Sequence, residues 1–399
     1  MANSYDVAIA GAGPAGTSAA IQLASAGRRV LLLEEKKFPR SKLCGEFISP
    51  ECLPHFQQLG VVDEMIAAGG AAIGETVFYT RRGHSVAVPS QWFESGADAL
   101  GLSRSEMDHR LLERAKSVGV TVLEDAHASG VLQQEQRVCG LIAKTGETLS
   151  EYSATVTIDA TGRTRALARH VEPPVQHRKK KRTLVASKAH LTGARPAGGA
   201  CEIYFYPNGY GGLSRIEAGR SNLCFIVAAE DVRNYGSDPE IVMREVVMKN
   251  VRAAFTLAEA EICTSWLSVS LDGFGRRSPA PVPGLLTVGD AASFIDPFTG
   301  SGMLMALESG DLAAMTINRH FASLSGADSF APLSNDYESA YSEAFDARLR
   351  VSGYLRRAAF VPGLAEAAIV VCGASSGLRR RLARATRHSG GREISPLSS

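Results

Sequence analysis

A short apolar strand that runs straight into Gly11-Ala12-Gly13-Pro14-Ala15-Gly16 leaves the chain few ways to begin folding. Val7, Ala8, Ile9 and Ala10 are apolar at consecutive positions, as a central parallel strand buried on both faces requires. Gly11 then permits a tight turn, and Gly13 lets a pyrophosphate approach the backbone. Gly16 lets the following helix lie close to the sheet. Pro14 and Ala15 open that helix, expected over 15–26, whose unpaired N–H groups and positive dipole end face the phosphates. A second strand, 28–33, ends on Glu34, at the spacing where an adenosine ribose finds its hydroxyl acceptor. The alternative for Glu34 is a solvated strand end. An acid here favours an unphosphorylated ribose, hence FAD or NAD over NADP.

The 399 residues allow two or three domains. The seven cysteines form no close pair, so neither a disulfide framework nor a metal site is expected. That usage fits a reducing cytoplasm, the expected location. No apolar run approaches the ~20 residues of a membrane span, which leaves at most peripheral membrane contact. A net charge of +2 selects no partner.

Residues 35–50 form a polar excursion with two prolines, of the irregular kind often tied to function. Within it stands Cys44-Gly45-Glu46. Read alone, this is an inert Cys beside a surface Glu. Together, the glycine turn, Leu-Leu-Leu-Glu-Glu at 31–35, Phe-Pro-Arg at 38–40 and Cys-Gly-Glu at 44–46 resemble the geranylgeranyl reductase group of FAD-dependent oxidoreductases. That group lies within the superfamily that has the para-hydroxybenzoate hydroxylase fold, with flavin-dependent halogenases as cousins. The resemblance implies that Arg40 and Cys44 meet the cofactor, Cys44 near the isoalloxazine. It also implies that Cys44 and Glu46 are the candidate catalytic residues.

Residues 51–69 read as helical, and 76–80 with 85–88 as a hairpin of a second domain, turning at Arg81-Arg82-Gly83. Ser103 or Ser105 caps a helix running to Ala115. Arg104 there can reach a diphosphate bidentately, or pair on the surface with Glu106 or Asp108. A strand then runs into Asp159-Ala160-Thr161-Gly162, which resembles a flavin signature of the superfamily and brings Gly162 close to the cofactor. The basic run 177–182 is a solvated crossover, with docking of an acidic electron-donor protein as the second option. Without interleaved aromatics it does not indicate nucleic-acid binding.

Strands at 202–207, 208–213 and 222–227, joined by a glycine-rich turn, would wall a pocket, with Tyr204, Phe205, Tyr206 and Tyr210 as its candidate lining and some of these aromatics in the core. A helix over 242–257 and a strand over 263–271 follow. A short strand at 285–288 ends on Gly289-Asp290, and a loop with Pro297, Gly300 and Gly302 precedes a helix from Met303 to about Asn318. Asp290 would accept from a ribityl hydroxyl. Gly300 and Gly302 would bring backbone N–H groups to the flavin pyrimidine, near a helix dipole that favours the reduced ring. The tail reads as helical with a basic stretch at 378–387, a solvated face rather than a membrane anchor, and a disordered end from Ser389.

The expected fold is α/β: a Rossmann-type FAD domain built from 1–75, 98–168 and 283–325, an antiparallel-sheet substrate domain from 76–97 and 169–282, and a helical tail, 326–399. The expected activity is C=C reduction in a hydrophobic polyketide, isoprenoid or aromatic molecule, with NADH, NADPH or a reduced carrier protein as electron donor. Monooxygenation is the alternative. Halogenation ranks last, because the Trp-x-Trp-x-Ile-Pro motif of that family is missing and the hairpin offers Arg81 and Arg82 where its pocket Lys is sought.

Overall fold

A computed structural model of the chain describes residues 4–93, 96–173, 183–324, 330–360 and 363–385. The basic run 177–182 and the end from Ser389 lie outside the described residues. Two sheets organise the molecule. In the first, Ser4–Ala10 lies between Val30–Leu33 and Thr148–Asp159, parallel to both. Thr121–Leu123 extends it beyond Val30–Leu33. Leu285–Thr287 also pairs in parallel with the far end of Thr148–Asp159, so a strand from late in the chain completes the parallel core. The hairpin His127–Gln134 and Arg137–Thr145 adds an antiparallel flap.

The helix Pro14–Ser25 covers this sheet and packs on Gly302–His320. Gly310 makes that approach possible, since a Cβ there would lie 2.3 Å from the Ala15 carbonyl oxygen. Gln22 donates to Asp311 at 2.9 Å and Ser18 to the Leu307 carbonyl at 3.2 Å, which fixes the crossing. The long helix Phe330–Ala359 lies behind, its buried Tyr337 donating to the Thr287 carbonyl at 2.9 Å. The first and last thirds of the chain thus share one apolar core.

The second sheet is mostly antiparallel and runs Glu261–Ile262, Leu184–Thr192, Ser221–Ala228, Gly209–Arg215, Ala200–Tyr206, Glu75–Tyr79, Ser85–Pro89. The early hairpin therefore belongs to it, joined through a parallel pair with Ala200–Tyr206. The expected helix at 51–69 is two helices, Cys52–Leu59 and Val62–Ala67, because Gly60 turns left-handed (φ 70°) between them. The helix expected at 242–257 is likewise divided, into Pro239–Glu245 and Val251–Thr256, the second capped by Asn250. The late strand is shorter than expected, Leu267–Leu271, and leaves Trp266 just before it. Leu364–Ala374 and Ser376–Ala385 fold back toward Ser85–Pro89. No described helix is long and apolar enough to cross a membrane.

Candidate functional site

One cavity of about 930 Å³ runs between the two sheets. Its polar end is the first glycine turn. Gly11 has φ +102°, and a Cβ there would lie 2.4 Å from the Ala160 carbonyl oxygen. At Gly16 a Cβ would lie 1.9 Å from the Gly11 carbonyl oxygen. Both positions exclude a side chain, Gly16 mainly for the turn itself rather than for helix-on-sheet packing. Gly13 differs: the atom closest to an added Cβ is a guanidinium nitrogen of Arg104, at 3.8 Å. Pro14 begins the helix, no side chain caps it, and Pro14 and Ala15 line the cavity. The turn is thus a cradle free of side chains that faces a cation.

Glu34 ends the second strand and lines the same cavity. Its carboxylate accepts from the Ala12 N–H at 3.0 Å, the Lys36 N–H at 3.2 Å and Arg40 at 3.1 Å. Asp108, fully buried, accepts from Arg40 at 2.9 Å and from Arg104 through two bonds, 2.8 and 2.7 Å. Ser103 caps the helix that carries both Arg104 and Asp108. Arg104 pairs with Asp108, one of the two partners expected, but the pair is buried rather than on the surface, and Arg104 lines the cavity. Burial works against its charge, but Asp108 and the neighbouring Cys44 outweigh that and hold it firmly protonated. Sequence reasoning missed Asp108 as the anchor of both guanidiniums. Its i,i+4 spacing from Arg104 was the available signal.

The other end of the cradle comes from late in the chain. Gly289 turns at φ +58°, donates its N–H to Ser309 Oγ at 2.8 Å, and would bring a Cβ within 3.0 Å of the Ala15 Cβ. The two glycine turns therefore touch. Asp290 faces the cavity, and burial raises its carboxyl while Arg163, Arg104 and Lys42 pull the other way. Pro297, Gly300, Gly302 and Met303 line the wall where Gly302–His320 begins. Gly162, at φ +73°, lines the cavity too, in the segment that packs beside the Gly289 turn. Asp159 of the same segment does not face the cavity. It accepts from the backbone of Thr161, Leu167 and Ala168 and so shapes the turn. These residues fit FAD: a side-chain-free cradle beside Arg104, an acid at each end, and helix N-termini opening onto the space between.

Cys44 and Glu46 stand on an irregular strap between the two ends. Cys44 is half-buried, with its thiol 3.4 Å from the Glu46 N–H. Glu46 is 1% exposed, accepts from the Arg104 N–H at 2.9 Å and from His190 at 2.7 Å, and forms an ion pair with Lys188. Burial works to raise its carboxyl, but His190 and Lys188 prevail and hold it below its ordinary value. These partners favour the ionised form of Glu46. Burial pushes the nearby Cys224 thiol up to about 12.

Beyond the strap the cavity becomes apolar, lined by Phe78, Ile203, Phe205, Tyr210, Ile226 and Phe298. Tyr210 belongs to this wall and donates to Asp296 at 2.5 Å. Tyr204 and Tyr206 do not. Side chains alternate along Ala200–Tyr206, so 203 and 205 face the cavity while 204 and 206 enter a separate core. Tyr204 donates to Glu202 at 2.6 Å, and Tyr206 to the Ile226 carbonyl at 3.1 Å. Phe205, expected with these tyrosines as pocket lining, does face the cavity; Ile203 was missed, although strand alternation was the signal for it. Ile369, Cys372 and Leu382 of the tail also line this end, which nothing local in the sequence announces. Arg81 and Arg82 are exposed at their hairpin turn and do not line the cavity.

Known proteins share this architecture. A digeranylgeranylglycerophospholipid reductase of Methanopyrus kandleri is 28% identical over 77% of this chain and 76% of its own length. A geranylgeranyl bacteriochlorophyll reductase-like protein of Thermoplasma acidophilum superimposes with a TM-score of 0.81 at 19% identity, over 97% of both chains. A flavin-dependent brominase superimposes at 0.78 and 21% identity, over 96% of this chain and 93% of its own. The pattern of the FAD binding domain family matches residues 4–314. The chain belongs to that family, and it is a flavin-dependent oxidoreductase similar in sequence to reductases of the geranylgeranyl group.

Proposed function

We propose that this chain reduces a carbon–carbon double bond in a hydrophobic small molecule, of polyketide, isoprenoid or aromatic type. The observation that carries the reading is the continuity of one cavity from the charged cradle, past Cys44, to the apolar wall of Phe78, Ile203, Phe205 and Phe298. Bound and reduced, FAD would supply a hydride there. The protein's part is to bind, orient and protonate. Arg104 and the Gly11–Gly16 turn would hold the diphosphate, and Glu34 the ribose. The apolar end removes the substrate from water. Cys44 would hold a proton at Sγ for the carbon adjacent to the one that takes the hydride, and recover it from solvent. NADH, NADPH or a reduced carrier protein would supply the electrons. The similarity to named geranylgeranyl-type reductases supports this reading.

The test is single turnover of FAD-loaded protein with NADH or NADPH against a panel of hydrophobic substrates, with and without O2, read by mass spectrometry. Gain of two hydrogens without O2 is the expected result. Gain of one oxygen with substrate-dependent O2 consumption assigns monooxygenation instead, and gain of a halogen assigns halogenation. Cys44→Ser is expected to slow product formation while the bound-flavin absorbance persists. Unchanged turnover would remove Cys44 from the chemistry.

A further inference from the structure

We propose that Lys188 and His190 are positioning residues that, through Glu46, fix the strap carrying Cys44 against the second sheet. The strap, residues 42–46, lies in no helix or strand, and its Glu46 carbonyl accepts from the Leu102 N–H at 3.3 Å. Three of its other carbonyls are taken by side chains of that sheet. Lys188 Nζ donates to the Lys42 carbonyl at 3.1 Å, Asn222 Nδ2 to the Cys44 carbonyl at 3.1 Å, and Ser214 Oγ to the Gly45 carbonyl at 3.5 Å. Lys188 also closes an ion pair with Glu46, and His190 meets the other carboxylate oxygen.

The strand register explains why these groups converge. His190 stands opposite Asn222, and Asn222 opposite Ser214. Lys188, two residues from His190, stands opposite Cys224. Residues directly opposite share a sheet face, as do positions two apart. Lys188, His190, Ser214 and Asn222 therefore form one polar patch, continuous with Ala186, Gly212 and Cys224 on the cavity wall.

Burial gives the patch its leverage. Lys188 is 3% exposed and His190 6%. A charge so placed persists only with its partner, so Lys188 and Glu46 hold each other in place. Glu46 also sits at φ +54°, a conformation uncommon outside glycine, which surroundings must enforce. The carboxylate, clasped by Lys188, His190 and the Arg104 N–H, supplies that enforcement. The backbone two residues before it presents the Cys44 thiol. Its relevance to turnover rests on the reading that Cys44 works at the flavin.

The experiment measures alkylation of Cys44 by iodoacetamide in native apoprotein and FAD-loaded protein, with peptide mass spectrometry separating Cys44 from the other cysteines. Lys188→Met and Glu46→Gln are compared with wild type and with Arg252→Met. The last breaks the pair between Arg252, on the helix Val251–Thr256, and the buried Glu202 of the same sheet, without touching the strap. The expected result is alkylation roughly tenfold faster in the first two, the scale of effect when groups supporting a positioned side chain are lost, and unchanged in Arg252→Met. Where Lys188→Met does not accumulate, Glu46→Gln, which keeps side-chain volume, reads the same quantity. A wild-type rate in either strap variant overturns the proposal. So does equal acceleration in Arg252→Met, which would report general loosening. Unchanged turnover in Cys44→Ser would overturn the role of the thiol and leave the alkylation result standing.

Discussion

Gly13→Ala is expected to give protein that folds as the wild type does but purifies without its yellow colour, whereas Gly16→Ala is expected to lose both fold stability and colour. The contrast follows from what each new methyl meets. At Gly16 it would lie 1.9 Å from a backbone oxygen and 3.0 Å from the Ala160 Cβ. Neither neighbour is the free end of a flexible side chain, so the turn itself must shift. At Gly13 the methyl meets only the Arg104 guanidinium, at an ordinary 3.8 Å. The apoprotein has no objection to it, and the diphosphate does. An overpacking cost of about 1–3 kcal/mol, charged here to the cofactor alone, lowers FAD affinity roughly 5- to 150-fold. Titration of each apoprotein with FAD, beside its thermal midpoint, separates the two effects. A Gly13→Ala protein with wild-type FAD affinity would mean that the diphosphate does not cross this turn.

How much of this site the sequence discloses depends on the range of the forces that build it. The strand, glycine turn and helix at 4–25 are local, each fixed by neighbours within a few residues, and they read directly. The later turn at Gly289 reads for the same reason, although only packing shows Gly289 resting on Ala15. Tyr204 and Tyr206 were misplaced because aromatic content was weighed above the two-residue period that sends them to the far face. Lys188 and His190 lie in a strand whose sequence gives no sign of a buried cation. Their partner Glu46 belongs to another part of the chain, and a single sequence does not encode that pairing in any pattern. The tail reads as helical but not as a wall of the cavity, since Ile369 and Cys372 face it only after long-range folding.

Asp108 is the residue whose loss should cost most. It carries two guanidiniums at full burial, and Asp108→Ala takes the carboxylate partner from Arg104 and leaves Arg40 with Glu34 alone. Breaking one partner from a buried ion pair costs about 3–5 kcal/mol, because the remaining charge keeps its desolvation penalty without its compensation. The more solvent-accessible pair two residues along the same helix, Arg110 and Glu106, supplies the comparison. Arg110→Ala should cost about 1 kcal/mol or less. Denaturant midpoints of the two apoproteins measure the difference, and equal losses would contradict the burial argument. A third variant separates stability from purpose. Arg40→Met, Arg104→Met and Asp108→Leu together replace the trio with apolar side chains, a change that often leaves stability near or above its starting value. Glu34 retains the Ala12 N–H in that background. The triple variant is expected to recover most of the stability lost in Asp108→Ala, yet to bind FAD no better. Apolar side chains can fill the space between helix and strap, but they offer nothing to a diphosphate. Recovery of FAD binding along with stability would show that the guanidiniums serve packing alone. Stability without binding would mean that this buried charge is retained for the cofactor rather than for the fold.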